Sequence, residues 1–265
     1  RQYIQFWKSS CRNSKERLMI DFFIELFQTQ NHFLILAAGA MVGLIHAFEP
    51  DHVSAMSTQI MSGKSSLTKK QSLKNLTAIS SWRGMIWGFG HTSSIIIIGV
   101  LIAGLSLNIG NEFFLGAELI VGIMLIALGI FTIRNRNILG QSHIHPHTHE
   151  NGISHVHTHN HTNDHKHDHK SFIIGSIHGI AGSGSIVALT ASVFMGFETM
   201  MYFLVLFGIG SIVGMAVISG IIGLPFILSS KMKQTVRYMK YGISGITCLI
   251  GVNIIFTILS DYKLF

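Results

Sequence analysis

The sequence predicts an all-α integral membrane protein with about six transmembrane helices. Charged residues make up only 12% of the 265 residues, against about 25% in soluble domains. The mean hydropathy is positive although the chain includes a very polar, histidine-rich tract. Uncharged or nearly uncharged segments long enough to cross a bilayer, which takes about 20 residues, occur six times: 33–61, 82–107, 113–133, 172–195, 200–228 and 241–260.

The order of these segments divides the chain into four regions. We expect an N-terminal segment over 1–32, a first three-helix half over 33–133, a histidine-rich loop over 134–171, and a second three-helix half over 172–265. Because each half has an odd number of spans, two related halves must insert in opposite orientations, as a 3+3 inverted repeat.

A weak internal similarity supports such a repeat. LIHAFEPDHVSA in the first span aligns with SIHGIAGSGSIV in the fourth, which pairs His46 with His178. GFGHTSS in the second span aligns with GIGSIVG in the fifth, which pairs His91 with Ser211. The second half therefore keeps the small residues and replaces most of the ionisable ones.

The N-terminal segment and the loops predict the orientation. Residues 18–30 mix apolar and acidic residues, which is typical of an amphipathic interfacial helix, with a seventh span as the alternative. Lys and Arg concentrate in loops 62–81, 134–171 and 229–240, and the opposite connections near 108–112 and 196–199 have none. The positive-inside rule then predicts a multi-pass cell-membrane protein with the histidine-rich loop in the cytoplasm. These loop cations beside anionic lipid also explain the net charge of +7, so no nucleic-acid partner is expected.

The most informative stretch is His46-Ala-Phe-Glu-Pro-Asp-His52, within the first span. Ionisable side chains at that depth are costly and normally face one another or a cavity. On a straight helix His52 lies about 120° around the axis from His46. Pro50 lacks an N–H and clashes with the carbonyl of His46, which predicts a kinked or unwound helix that gathers the polar groups. The alternative is a kinked helix whose histidines only hydrogen-bond to neighbouring residues.

Two further histidines are predicted within the membrane, His91 in Gly-Phe-Gly-His-Thr-Ser-Ser and His178 before a stretch rich in Gly and Ser. Imidazole with carboxylate, without thiolate, suits Ni(II), Co(II) or Zn(II) and does not suit Cu(I). The two cysteines, Cys11 and Cys248, are far apart and suggest neither a disulfide nor a thiolate site. The predicted metal donors are therefore His46, Glu49, Asp51, His52, His91 and His178. A hydrogen-bonded packing residue is the alternative for His91, and a proton relay is the alternative for His178.

His46-x4-Asp51-His52 in an early span, followed by Gly90-His91-Thr92 in the next, resembles the nickel/cobalt transporter superfamily, most closely its UreH-like branch. The similarity covers about 33–228. It implies that His46, Asp51 and His52, together with His91, bind a transported Ni(II) or Co(II) ion. Segments typical of the longer, eight-span branch of the superfamily are absent from the second half, so the resemblance leaves uptake and efflux both open.

The histidine-rich loop predicts a second, looser metal-binding region. Its alternating histidines have few apolar neighbours, which is typical of a disordered tract that binds divalent ions at interchangeable sites, as a buffer or sensor. The alternative is a solvated linker. The eleven residues are His143, His145, His147, His149, His155, His157, His159, His161, His165, His167 and His169.

We therefore predict a transporter and not an enzyme, with no cofactor beyond the carried ion; a homo-oligomer is left open. A P-loop of the form GxxxxGK[ST] is absent from the sequence, so no ATP site is expected. One alternative is a zinc transporter of another family, and another is a metal sensor that uses its helices only as an anchor. A rhomboid-like protease is suggested by Gly182-Ser183-Gly184, but it needs a later histidine, and none follows His178. A metalloprotease would need His-Glu-x-x-His, which the sequence lacks.

Overall fold

The computed structural model describes residues 32–62, 73–104, 111–134, 144–148, 154–158, 164–182, 197–229 and 232–261. Within these ranges the chain is mostly helical, with a turn at 47–49 and two short antiparallel β-strands. The helices are α1 His32–His46, α2 Pro50–Ser62, α3 Leu73–Gly99, α4 Asn111–Arg134, α5 Asp164–Gly182, α6 Phe197–Leu228 and α7 Lys233–Asp261. A π-helical turn, Val100–Gly104, extends α3.

The predicted all-α membrane architecture is confirmed at this level. Four helices, α3, α4, α6 and α7, are each long and apolar enough to cross a membrane, and α1 with α2 forms a fifth span if the bent pair is counted as one. Helix α5 starts the predicted fourth span and is described to Gly182, while 183–195 lies outside the described residues. The predicted total of six therefore stays a prediction. The amphipathic helix predicted over 18–30 also lies outside the described residues.

The predicted break in the first span is present. Helix α1 ends at His46, a turn occupies 47–49, and α2 begins at Pro50, with an angle of 55° between the two helices. The N–H groups of Phe48 and Glu49 donate to the carbonyls of Ile45 and His46, over 2.9 and 3.1 Å, which closes the last turn. Proline suits the first position of a helix, because an N–H at that position would have no acceptor within the helix and because the φ of proline is close to the helical value. Pro50 thus starts the second segment, and the break precedes it.

Small residues allow the helices to approach closely. A Cβ on Gly43 of α1 would collide with the backbone carbonyl of Phe207 in α6, and a Cβ on Gly175 of α5 would collide with that of Trp87 in α3. In lipid, helix association depends on such close packing rather than on hydrophobic burial. These contacts bring α1 against α6 and α5 against α3.

The helix directions follow from the same kind of contact. Gly39 and Gly43 of α1 lie against Phe203 and Phe207 in turn, so α1 and α6 run parallel.

Helix α3 runs parallel to one neighbour and antiparallel to another. Trp87 lies against Gly175 of α5, and one turn later His91 lies against Gly179, so these two helices are parallel. Against α6, Gly84 lies beside Met215 and Gly88 beside Ile212, so α3 and α6 are antiparallel. Helices α1 and α5, which begin the two proposed halves, therefore point in opposite directions.

Two buried apolar clusters surround the region between these helices. One contains Trp87, Leu125 and Met215, and the other contains Phe203 and Phe207. His52 contacts Trp87 of the first cluster, with ring centroids 5.4 Å apart, and His46 contacts Phe207 of the second, at 5.3 Å. The histidines of the first span therefore lie between the two clusters.

The histidine-rich region differs from the predicted disordered tract. Strand β1, Ile144–Thr148, pairs antiparallel with β2, Ser154–Thr158, with His145 opposite His157 and His147 opposite His155. The dipeptide Asn151-Gly152 lies between the strands, and Asn-Gly between two alternating segments is a strong hairpin signal. Helix α5 begins at Asp164, within the predicted loop, and includes His165, His167 and His169.

Candidate metal centre

The break between α1 and α2 delivers donor groups to one place from both sides of the turn. His46 is the last residue of α1, while Asp51 and His52 lie in the first turn of α2. Helix α3 adds His91 and α5 adds His178. The four imidazoles are at most 3% exposed, so a polar cluster lies in the interior of an otherwise apolar bundle.

Three imidazoles form the first group that could hold a metal ion. One ring nitrogen each from His46, His52 and His91 lies within 4.8 Å of the other two. The Nε2 atoms of His46 and His91 are 3.3 Å apart. Two nitrogens that are each about 2.05 Å from a tetrahedral ion are themselves about 3.3 Å apart. The His46–His91 spacing is therefore already that of two ligands on one ion.

Asp51 connects two of the imidazoles in a second group. Its Oδ1 lies 3.0 Å from Nδ1 of His52, and its Oδ2 lies 2.9 Å from Nε2 of His178. Because His52 belongs to both groups, the two triads share one ring. The carboxylate also links α2 to α5.

Glu49 lies in the turn itself and extends the cluster toward the surface. Its Oε1 is 2.9 Å from Nδ1 of His46 and its Oε2 is 3.8 Å from Nδ1 of His52, with the side chain 47% exposed. The 2.9 Å contact between His46 and Glu49 is short enough for an ion pair, but its geometry is not that of a hydrogen bond. Glu49 is thus the accessible acidic group at the edge of a buried cluster.

Trp87 forms one wall of the centre and was not anticipated from the sequence. Its ring stacks on His91 at a centroid distance of 5.7 Å and an angle of 14°, and its edge contacts involve His52 and His178. Trp87 precedes His91 by four residues in α3, a spacing that places both on one helix face. That spacing was the available signal.

Several nitrogens of the centre are buried without a hydrogen-bond partner among the described residues. They are Nδ1 of His46, Nε2 of His52, Nδ1 of His91, Nδ1 of His178 and Nε1 of Trp87. A buried polar atom left without a partner costs about 1–3 kcal/mol. Unshared imidazole lone pairs in this setting are suited to a cation.

The structure therefore brings together all six residues that the sequence singled out as donors, and their role as ligands remains a prediction. Of the loop histidines, four lie in the hairpin and three in α5, while His143, His149, His159 and His161 lie outside the described residues. Cys248 lies in α7, where its sulfur contacts the carbonyl of Ile126 at 3.7 Å.

The fold and the site together define a multi-pass membrane protein with an imidazole and carboxylate cluster buried at a helix break. The chain is 36% identical over 198 residues to a curated protein, "Urease accessory protein UreH" from Bacillus sp. (strain TB-90), an alignment that covers 74% of this chain and 79% of the relative. The chain belongs to the UreH-like branch of the nickel/cobalt transporter superfamily. The searches found neither a matching protein-family model nor a matching solved structure.

This family assignment confirms the resemblance seen in the sequence, and it agrees with the prediction that the protein is not an enzyme.

Proposed function

We propose that the protein carries Ni(II) or Co(II) across the membrane, with the cluster at the α1–α2 break as the site through which the ion passes. The observation that carries the proposal is the triad of His46, His52 and His91, whose donor nitrogens already lie within 4.8 Å of one another. Nitrogen donors with nearby carboxylates and no thiolate suit these two ions. The similarity to a urease accessory protein supports a nickel-related role.

The transport mechanism that we propose rests on an inverted repeat of two three-helix halves. The alignment that pairs His46 with His178 also pairs Gly43 with Gly175, and the alignment that pairs His91 with Ser211 also pairs Phe207 with Trp87. The contact between Gly43 and Phe207 thus has an equivalent in the contact between Gly175 and Trp87.

The same two alignments relate a second pair of contacts. Gly210 lies against the carbonyl of Ala40, and the aligned Gly90 lies against the carbonyl of Phe172. With α1 and α5 pointing in opposite directions, these equivalences support halves related by a two-fold axis in the membrane plane. In transporters built this way, one half moves against the other and opens a central site to each side in turn.

Metal flux into proteoliposomes tests the proposal. We expect His91→Ala to reduce Co(II) flux at least about tenfold, because removing an inner ligand costs more than the 10–100-fold typical of groups that only support a ligand. His169→Ala is the matched control, since it removes an exposed histidine of α5. Equal flux through both variants and the unaltered protein would rule out this site as the path of the ion.

Zn(II) is a second candidate cargo, favoured by the 3.3 Å spacing of the His46 and His91 nitrogens. That spacing matches tetrahedral coordination, which Zn(II) adopts readily. A competition assay with Ni(II), Co(II), Zn(II) and Mn(II) separates the candidates: a zinc carrier is expected to lose Co(II) flux in the presence of equimolar Zn(II), whereas a nickel and cobalt carrier retains most of it.

A further inference from the structure

The hydrogen bonds around Asp51 fix the protonation of two imidazoles. An ionised carboxylate only accepts hydrogen bonds, so the 3.0 Å contact to His52 and the 2.9 Å contact to His178 both require an N–H on the imidazole side. His52 therefore carries its proton on Nδ1, and His178 carries its proton on Nε2. The lone pair of neutral His52 is then on Nε2.

The nitrogen that carries this lone pair makes no hydrogen bond in the described part of the protein. Nε2 of His52 is fully buried and has no hydrogen-bond partner among the described residues. The ring centroid of His52 lies 4.4 Å from that of His46 and 5.0 Å from that of His91. The hydrogen bond from Nδ1 to the carboxylate thus leaves Nε2 as the nitrogen of His52 that can bind an ion together with His46 and His91.

Direct ligation by Asp51 would have a cost. Each oxygen has a second lone pair, but the two N–H donors fix how the carboxylate is turned. Rotating it toward an ion held by His46, His52 and His91 would lengthen the hydrogen bond to His52 or to His178, and a buried donor that loses its acceptor costs about 1–3 kcal/mol. Ligation by His46, His52 and His91 leaves both of these hydrogen bonds intact.

We propose that Asp51 is a positioning residue and not a ligand of the ion, that His178 braces it from the second half, and that the protein ligands are His46, His52 and His91. This inference rests on the proposed function and differs from the expectation, implied by the resemblance, that Asp51 binds the ion directly. A histidine ligand that donates its other N–H to a carboxylate is a common support in metal sites, and loss of the support typically weakens binding 10–100-fold. Because the brace comes from α5, the pair Asp51–His178 also holds the two halves together at the ion.

The test uses the full-length protein in lipid nanodiscs with Co(II) as the probe. Affinity is measured by calorimetry, and the inner shell is followed by the Co(II) d–d bands and by imidazole scattering in X-ray absorption. For the unaltered protein we expect three imidazoles. For Asp51→Asn we expect unchanged band energies, three imidazoles, and an affinity weaker by about 10–100-fold. His46→Gln is the ligand control, and we expect it to shift the bands and remove one imidazole.

His178 provides an independent pair of variants if Asp51→Asn folds poorly, as judged by elution and thermal stability without metal. We expect His178→Gln, whose amide N–H can still donate to Asp51, to bind Co(II) nearly as tightly as the unaltered protein. We expect His178→Leu to bind more weakly with the same d–d bands. In both variants the three-imidazole shell should persist.

Different results would overturn the positioning role of Asp51 and the proposed function. Shifted bands in Asp51→Asn, or one imidazole fewer in His178→Leu, would overturn the positioning role while the ion site itself stands. Absence of saturable Co(II) binding to the unaltered protein would overturn the proposed function and this inference with it.

Discussion

At the scale of single residues, the centre combines donors that bind a proton or a metal ion but not both on the same nitrogen. A protonated ring has no lone pair left for an ion. We therefore expect Ni(II) or Co(II) flux to fall as the medium is made more acidic. Proteoliposomes with equal pH on both sides provide the measurement, and flux that stays constant to well below pH 6 would contradict the competition.

Trp87 offers a direct optical report on the same residues. Its ring is stacked on His91 at 5.7 Å, so an ion on His91 lies close enough to quench its fluorescence. We expect Co(II) to quench the unaltered protein and the control Trp82→Phe, which removes a 55% exposed tryptophan. We expect Trp87→Phe to lose most of the quenching. Strong quenching that survives in Trp87→Phe would place the ion elsewhere.

The sequence predicted which ionisable residues gather at the centre, but not the contacts that they make with one another and with Trp87. His46, Asp51 and His52 could be found because ionisable residues within an apolar span are rare and costly. The bridge from Asp51 to His178 depends on how α2 packs against α5, which no local pattern encodes. Trp87 was missed because an aromatic residue in an apolar helix is usually core, and only its contacts with three imidazoles distinguish it.

At the scale of the elements, the close contact between α3 and α5 sets the distance from His91 to His178. A Cβ on Gly175 would meet the backbone carbonyl of Trp87, which has no side-chain freedom to move away. We expect Gly175→Ala to lower stability by about 1–3 kcal/mol, as for other overpacked positions, and to reduce Co(II) affinity. Thermal unfolding in detergent and calorimetry provide the two measurements.

Gly116 is the matched control for this substitution. A Cβ there would meet nothing within 4 Å, although the residue is also a helical glycine. Replacing an unhindered helical glycine by alanine gains up to about 1 kcal/mol, so Gly116→Ala is expected to be neutral or slightly stabilising. Equal effects at both positions would mean that α3 and α5 do not approach as closely as described.

Among the elements, the helix break was predictable and the hairpin was missed. Pro50 in an apolar span can be read locally, because a missing N–H and a fixed φ act wherever the residue stands. Strands Ile144–Thr148 and Ser154–Thr158 flank Asn151-Gly152 in the sequence, a local hairpin signal that the unusual histidine content obscured. The early start of α5 fits Asp164 at its N-terminus, where a negative charge is favoured.

At the scale of the whole molecule, the distribution of basic residues predicts which loops share a side. Cys11 and Cys248 are first replaced by serine, and a single cysteine is then introduced. We expect Ser142→Cys and Ser230→Cys to react with an impermeant maleimide only in inside-out vesicles, because basic loops stay in the cytoplasm. We expect Asn108→Cys, in a connection without Lys or Arg, to react only in right-side-out vesicles.

Two failures of this labelling pattern have different meanings. If residues 108 and 142 react from the same side, α4 does not cross the membrane and the proposed halves lose their third span. If all three positions react from the reverse sides, the helices cross as described but the orientation is opposite. The inverted repeat survives only the second result.

We predict that the histidine-rich loop, as a metal buffer, acts on the supply of ions to the centre rather than on the centre itself. Many weak sites beside one mouth raise the local concentration of metal when the ion is scarce and have no effect when it saturates the transporter. We expect a variant with all histidines between 143 and 161 replaced by asparagine to show lower flux at limiting Ni(II) offered from the loop side, and unchanged flux at saturating Ni(II). This variant keeps the loop length, so a deletion of 143–161 serves as the comparison for length. Loss of flux at saturating Ni(II) in the asparagine variant would show instead that the loop takes part in the transport step.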